Sequence, residues 1–186
     1  MLTSVARLLI EEGAWASADL VALLSENQAS AAALAADAVR GGYVKRVLVL
    51  AGDPRPDDDL LRELGIPVLP PHEIATLVLL KLGVQREEIV VERLPRFGTN
   101  AAIRTAARYA KAHGAKRVIV IAPRSHTRRA AILMRRALGK NAVVIARASP
   151  HDGFEPRGWW RDRDQAREVM SEGLRWLNSL VLGDLW

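Results

Sequence analysis

Arg117-Val-Ile-Val-Ile-Ala-Pro-Arg-Ser-His-Thr-Arg-Arg-Ala-Ala-Ile-Leu-Met-Arg-Arg136 reads as a strand, a tight turn and a helix. Residues 118–122 are continuously apolar and mostly β-branched, as a parallel strand covered on both faces requires. Pro123 cannot continue such a strand, and Ser125 or Thr127 can cap the helix that follows. Charge is the odd feature. Arg128 and Arg129 fall in the first turn of that helix, beside Arg124 and His126, where the helix dipole already presents positive potential. An uncompensated cationic cluster there costs stability unless carboxylates or an anionic ligand answer it. The stretch is therefore the candidate active or binding site.

Working outward, the same alternation recurs on both sides. Apolar runs at 20–24, 47–51, 89–91 and 142–146 read as further strands. Between them lie helical patterns at 28–40, 73–82 and 99–113, with a short helix opened by Pro56 and Asp57. A short amphipathic helix over 2–12, ended at Gly13, precedes the first strand. A long one from Trp159 or Trp160 to about residue 182 follows the last. Its apolar positions Val169, Met170, Leu174, Leu177, Leu180 and Val181 fit a helical period. The 73–82 helix is almost entirely apolar, which predicts burial or an interface. Connections long enough for parallel crossovers imply an α/β three-layer sandwich, Rossmann-like, around a mostly parallel sheet of about five strands. The chain is expected to form one domain, with residues 1–18 a helical extension and 178–186 a tail.

Composition limits the functional classes. At 186 residues with 49% hydrophobic content, the chain can bury a single large core. It has no cysteine, so disulfides, thiolate metal sites and cysteine nucleophiles are excluded. Its formal charge of +6, mostly from arginine, suits an anionic partner, or reflects Arg and Ala richness inherited from the genome. The basic residues are scattered along the chain, which argues against nucleic acid. No apolar run reaches the roughly 18–20 residues of a membrane span, and Glu11 and Glu12 interrupt the first one. A cytoplasmic location is expected.

In parallel α/β sheets ligands bind beyond the carboxyl ends of the strands, at a switch point in strand order. The strand-end residues follow directly: Ser25 and Asn27, Gly52 and Asp53, Glu92, then Arg124, Ser125 and His126. Thr99 and Asn100 begin the helix after the third strand. His126 is the candidate acid or base, and Arg129, three residues on, lies on the same helical side. Glu92 either pairs with Arg129 or Arg124 or acts with them on a ligand. Trp160 and Arg161 offer a stacking surface beside a cation, unless the tryptophans simply pack the loop onto the sheet edge. The Asp57-Asp58-Asp59 run reads as helix-start chemistry before it reads as a metal site, since consecutive helical residues diverge. Neither a dinucleotide nor a P-loop glycine fingerprint is present, nor a Gly-x-Ser-x-Gly elbow, and no histidine pair has zinc spacing.

The order of parts resembles the YdcF/SanA/ElyC-like family of small α/β bacterial proteins over about residues 19–177. Ser125-His126-Thr127-Arg128-Arg129-Ala130 resembles that family's Ser/Thr-x-x-His-x-x-Arg-Ala signature. Leu82-Gly83-Val84 leading to Glu88-Ile89-Val90-Val91-Glu92 resembles another segment, and the Trp159-Trp160-Arg161 loop and Glu172 resemble its tail. Ser25-Glu26-Asn27-Gln28 departs from the family's Gly-rich first turn, Ala51-Gly52-Asp53 from its Ser-Gly-Gly, and Gly98-Thr99-Asn100-Ala101-Ala102 lacks its acid. The resemblance implies a cleft for an anionic or nucleotide-like small molecule, with S-adenosylmethionine one cofactor it suggests and envelope biogenesis the role of anchored members.

Two functional readings follow. In one, Arg124, Arg129 and the helix amides hold an anion, His126 moves a proton and Glu92 orients. In the other, the protein is a binding module for S-adenosylmethionine or a nucleotide. A structural reading gives the apolar 73–82 and C-terminal helices to a homo-oligomer.

Overall fold

A computed structural model describes residues 2–24, 28–53, 57–95, 98–150 and 152–181. Five strands, β1 (Leu20–Leu23), β2 (Val47–Ala51), β3 (Ile89–Arg93), β4 (Arg117–Ala122) and β5 (Val143–Ala148), form one parallel sheet in the order β3-β2-β1-β4-β5. Among the described residues seven helices flank it: α1 (Leu2–Arg7), α2 (Gln28–Arg40), α3 (Asp58–Glu63), α4 (Pro71–Lys81), α5 (Thr99–Ala112), α6 (Thr127–Leu138) and α7 (Arg163–Val181).

The inner strands β1, β2 and β4 are continuous apolar runs over residues 20–23, 47–51 and 118–122 because both faces are covered, whereas the edge strands β3 and β5 carry charged residues and are partly exposed. Along β4, Val118 and Val120 belong to the core shared with α5 and α6, whereas Ile119 and Ile121 belong to the core shared with α2 and α4. Each side chain is fully buried, so truncating Ile119 or Ile121 to Ala would cost about 2–5 kcal/mol. The chain runs β1, β2, β3 toward one edge, then returns to place β4 on the other side of β1. Right-handed crossovers in opposite directions put their helices on opposite faces, hence α2 and α4 lie on one face and α5 and α6 on the other.

Several elements differ from the sequence reading. The first helix ends at Arg7, and the segment beyond it lies along β5. There the Gly13 amide donates to the Ala146 carbonyl at 3.0 Å, and the Arg147 guanidinium donates to the Gly13 carbonyl at 2.7 Å. This segment covers an edge strand that would otherwise present unpaired backbone. A Cβ at Gly13 would come within 3.0 Å of the Ile145 side chain, so glycine allows the close approach.

Helix α4 starts earlier than expected, with Pro71 in its first turn, and only part of its apolar surface is covered. Ala75 and Leu79 are buried, but Ile74, Leu77 and Leu80 are exposed. The apolar positions of α7 divide in the same way. Val169 is buried with Glu172 on the inner face, while Met170, Leu174 and Leu177 stand in solvent. Leu180 and Val181 lie outside the described side chains.

A third, smaller core joins Ala6 of α1 and Leu9 to Phe154, Trp159 and Val169 of the C-terminal part. It holds α7 across the junction of β4 and α6. Among the described residues no helix is long and apolar enough to cross a membrane.

Candidate functional site

The chain reverses its direction across the sheet between β1 and β4, which makes the space beyond their carboxyl ends the topological switch point. After β4, Pro123 takes extended backbone angles and a single 3-10 turn, Arg124–His126, leads into α6. Ser125, His126, Thr127 and Arg129 are all buried there. Polar groups are rarely closed to water without partners, and in this place α7 supplies most of them.

Glu172 is the centre of the arrangement. Its Oε2 accepts from Arg129 Nε at 2.8 Å and from His126 Nδ1 at 3.2 Å. Its Oε1 accepts from Arg129 Nη2 at 3.1 Å and from Arg175 Nη1 at 2.6 Å. Burial by itself would raise the Glu172 carboxyl pKa. The hydrogen bonds and charges of His126 and Arg129 outweigh burial and hold it well below the usual carboxylate range. Burial lowers His126 against the pull of its Glu172 bond, and the Arg129 charge pushes the same way. Glu172 is thus ionised and His126 neutral at pH 7. Because an ionised carboxylate only accepts, Nδ1 must carry the imidazole proton and Nε2 the lone pair.

Carboxylates therefore answer the cationic cluster of the sequence. Arg129 is held in a buried bidentate pair and is not open to a ligand anion, a correction to its expected role. The amides at the start of α6 are taken as well. The Arg124 amide donates to Asp152, the His126 amide to the Pro123 carbonyl at 2.9 Å, and the Arg128 amide to the Leu9 carbonyl at 3.2 Å. The expected amide cradle for an anion is filled by the protein's own chain.

Neither Ser125 nor Thr127 caps α6. Thr127 Oγ1 donates to the Arg124 carbonyl and accepts from the Glu11 amide, both at 2.9 Å, which ties the N-terminal segment to the site. Ser125 Oγ donates to Glu168, one turn before Glu172 on α7. Arg135 pairs with Glu11 and donates to the Val144 carbonyl at 3.2 Å.

Arg124 keeps a half-exposed side chain. Its Nε lies 3.9 Å from Glu12 Oε2, too far for a hydrogen bond. Among the described residues, four buried side-chain polar atoms lack a hydrogen-bond partner: Gln28 Oε1, Arg124 Nε, His126 Nε2 and Arg147 Nε. Arg124 and His126 lie in the turn after β4, and Gln28, whose Nε2 donates to the Leu50 carbonyl of β2 at 3.1 Å, opens α2 after β1.

The other expected site residues are spread more widely. Glu92 lies on β3, three strand spacings from β4 or roughly 14 Å, and pairs with Arg108 at 3.4 Å rather than with Arg124 or Arg129. Gly52 and Asp53 follow β2, with Asp53 exposed. Thr99 and Asn100 open α5, partly buried. Ser25 and Asn27 lie outside the described residues. Trp159 packs into the small core and donates from Nε1 to the Leu2 carbonyl at 2.9 Å. Trp160 meets it edge-on and is 40% exposed, and Arg161 is exposed. Asp58 is buried at the start of α3 and Asp59 pairs with Arg62. Among the described residues no group of three or more His, Asp or Glu is placed to hold a metal ion.

Sequence reasoning missed Glu168, Asp152, Arg175 and Gln28. A usable signal existed for α7. Glu172 falls between Val169 and Trp176 at helical spacing, a carboxylate within an apolar stripe, and Glu168 lies four residues before it. No protein-family model, curated protein or solved structure matches this chain.

Proposed function

We propose that the protein binds an anionic, phosphorylated or nucleotide-like small molecule beyond the carboxyl ends of β1 and β4, with His126 as the group that takes a proton from it. The observation that carries this reading is the buried, unpartnered Nε2 of a His126 whose Nδ1 is fixed by Glu172. A neutral imidazole oriented in this way is a hydrogen-bond acceptor and a general base. Gln28 Oε1 is a second acceptor and Arg124 Nε a donor. A ligand bearing hydroxyl or amino donors beside an anionic oxygen, as a nucleoside phosphate does, complements that set. The anion-binding duty falls to Arg124, since Arg129 is committed to Glu172. The resemblance to the YdcF/SanA/ElyC-like family supports the same ligand class, and a cytosolic location suits such metabolites.

The position of Glu92 favours a second reading. With Glu92 three strands away and paired with Arg108, no hydrogen-bonding acid meets His126 Nε2 among the described residues, which suits a non-enzymatic module for S-adenosylmethionine or a nucleotide.

A thermal-shift panel of nucleoside phosphates, S-adenosylmethionine and inorganic phosphate separates the two readings. A ligand at about 100 times its dissociation constant adds about 2.7 kcal/mol of stability. For the enzyme, one ligand stabilises the wild type, Arg124→Ala weakens that shift, and product forms with the wild type but not with His126→Ala. Stabilisation without product selects the binding module. No shift with any member of the panel overturns both readings.

A further inference from the structure

We propose that the Glu12 carboxylate is an internal competitor for the anion site, seated beside Arg124 until a ligand anion displaces it. The inference rests on the reading of Arg124 as the anion-binding group. The segment between α1 and β1 runs past the turn after β4 and is pinned on both sides of Glu12. Before it, the Leu9 carbonyl accepts from the Arg128 amide at 3.2 Å, and the Glu11 amide donates to Thr127 Oγ1 at 2.9 Å. After it, the Gly13 amide donates to the Ala146 carbonyl at 3.0 Å, and the Gly13 carbonyl accepts from Arg147 at 2.7 Å. The backbone therefore delivers the Glu12 side chain to one place, between the ends of β4 and β5. There Oε1 accepts from the Ala148 amide at 3.2 Å, and Oε2 lies 3.9 Å from Arg124 Nε.

The contact is weak enough to be exchanged. At 3.9 Å the carboxylate supplies attraction without a hydrogen bond, and Arg124 Nε stays buried with no hydrogen-bond partner among the described residues. A phosphoryl oxygen that reaches Nε at hydrogen-bonding distance makes a shorter, charge-assisted bond in place of the weaker contact. Withdrawing Glu12 costs little. Its side chain is 33% exposed and that of Arg124 37%, and water can take over at the exposed Ala148 amide. Only the side-chain torsions of Glu12 need to change, because the backbone bonds at Leu9, Glu11 and Gly13 stay in place. While Glu12 sits beside Arg124, the apparent affinity for an anion falls by the fraction of time that the guanidinium is free. Glu12 is thereby a regulator of the site and not part of what binds the ligand.

Phenylglyoxal labelling of arginines on the full chain, read by peptide mass spectrometry, tests this with and without an anion. Glu12→Gln keeps an acceptor for the Ala148 amide and removes the charge beside Arg124. It should speed the labelling of Arg124 by about twofold to fivefold, the range that loss of a partly exposed pair allows. Inorganic phosphate and adenosine monophosphate should each protect Arg124, at a half-protecting concentration lower by about the same factor in Glu12→Gln than in the wild type. Glu87→Gln makes the same change in net charge on the exposed turn before β3, at the opposite end of the sheet, and should match the wild type in both measurements. Equal labelling rates or equal half-protecting concentrations in the wild type and Glu12→Gln overturn the competitor and leave the anion site standing. An effect of Glu87→Gln as large as that of Glu12→Gln overturns it too, since net charge would then be the cause. No protection by either anion in any of the three proteins overturns the anion site itself, and the competitor with it.

Discussion

Arg129 and Glu172 meet through two parallel N–H···O bonds, Nε to Oε2 at 2.8 Å and Nη2 to Oε1 at 3.1 Å, with both side chains almost closed to water. The pair joins α6 to α7 across 43 residues of sequence. A buried pair of this kind adds little net stability, because desolvation offsets the attraction, but losing one member leaves the other charge buried alone. Glu172→Ala should therefore cost about 3–5 kcal/mol in denaturant unfolding. The double variant Arg129→Met with Glu172→Leu should recover most of that loss. If the double variant is as unstable as the single one, the cost lies in lost packing of α7 and not in an orphaned charge.

His126 gives the protein a pH dependence of defined sign. Burial holds its pKa below the ordinary imidazole value near 6.5, with Arg129 and Arg175 in the same direction and the Glu172 bond opposing. As pH falls below about 6.5 the unfolded chain takes up a proton that the folded one refuses, so stability falls with pH. His126→Gln removes that difference. Denaturant midpoints at pH 7.5 and pH 5.5 should separate more for the wild type than for the variant. Equal separations would mean that His126 titrates normally in the folded protein.

The sheet was legible because its strands are buried on both faces. Such strands read as unbroken apolar runs, and their alternation with helices leaves few arrangements open. The turn after β4 was legible for the same reason, since Pro123 ends one element and the arginines stand out against the next. Strand order was not encoded in any local pattern. Glu92 and His126 both end strands, and only the placement of β3 outside β2 shows that they are far apart. The partners of the cluster were hidden by distance along the chain. Glu172 meets His126 across 46 residues, and the rotation of α7 about its own axis is set by how it docks. Periodicity identified a face of that helix containing Met170, Leu174 and Leu177, but it could not say whether that face turns inward.

Glu168 should act on stability in the opposite sense to His126. Burial raises its carboxyl pKa, Asp152 and Glu172 add to the rise, and the hydrogen bond from Ser125 pulls it back. Between the ordinary glutamate value and the raised one, the folded protein holds a proton that the unfolded chain has released. Stability from this group is thus full at low pH and lost as pH rises through the window. Glu168→Gln stays neutral throughout. Its Tm should match the wild type near pH 4 and exceed it increasingly toward pH 7, by less than full burial would give because the side chain is only partly closed to water. Ser125→Ala removes the larger of the two interactions that lower the Glu168 pKa, the other being the charge of Arg175, so its Tm should fall more steeply than the wild type's over the same range. A Glu168→Gln curve parallel to the wild type at every pH would show that Glu168 is ionised in the folded state with its ordinary affinity for protons. The Ser125 hydroxyl and the Arg175 charge would then together offset the burial of the carboxylate and its acidic neighbours.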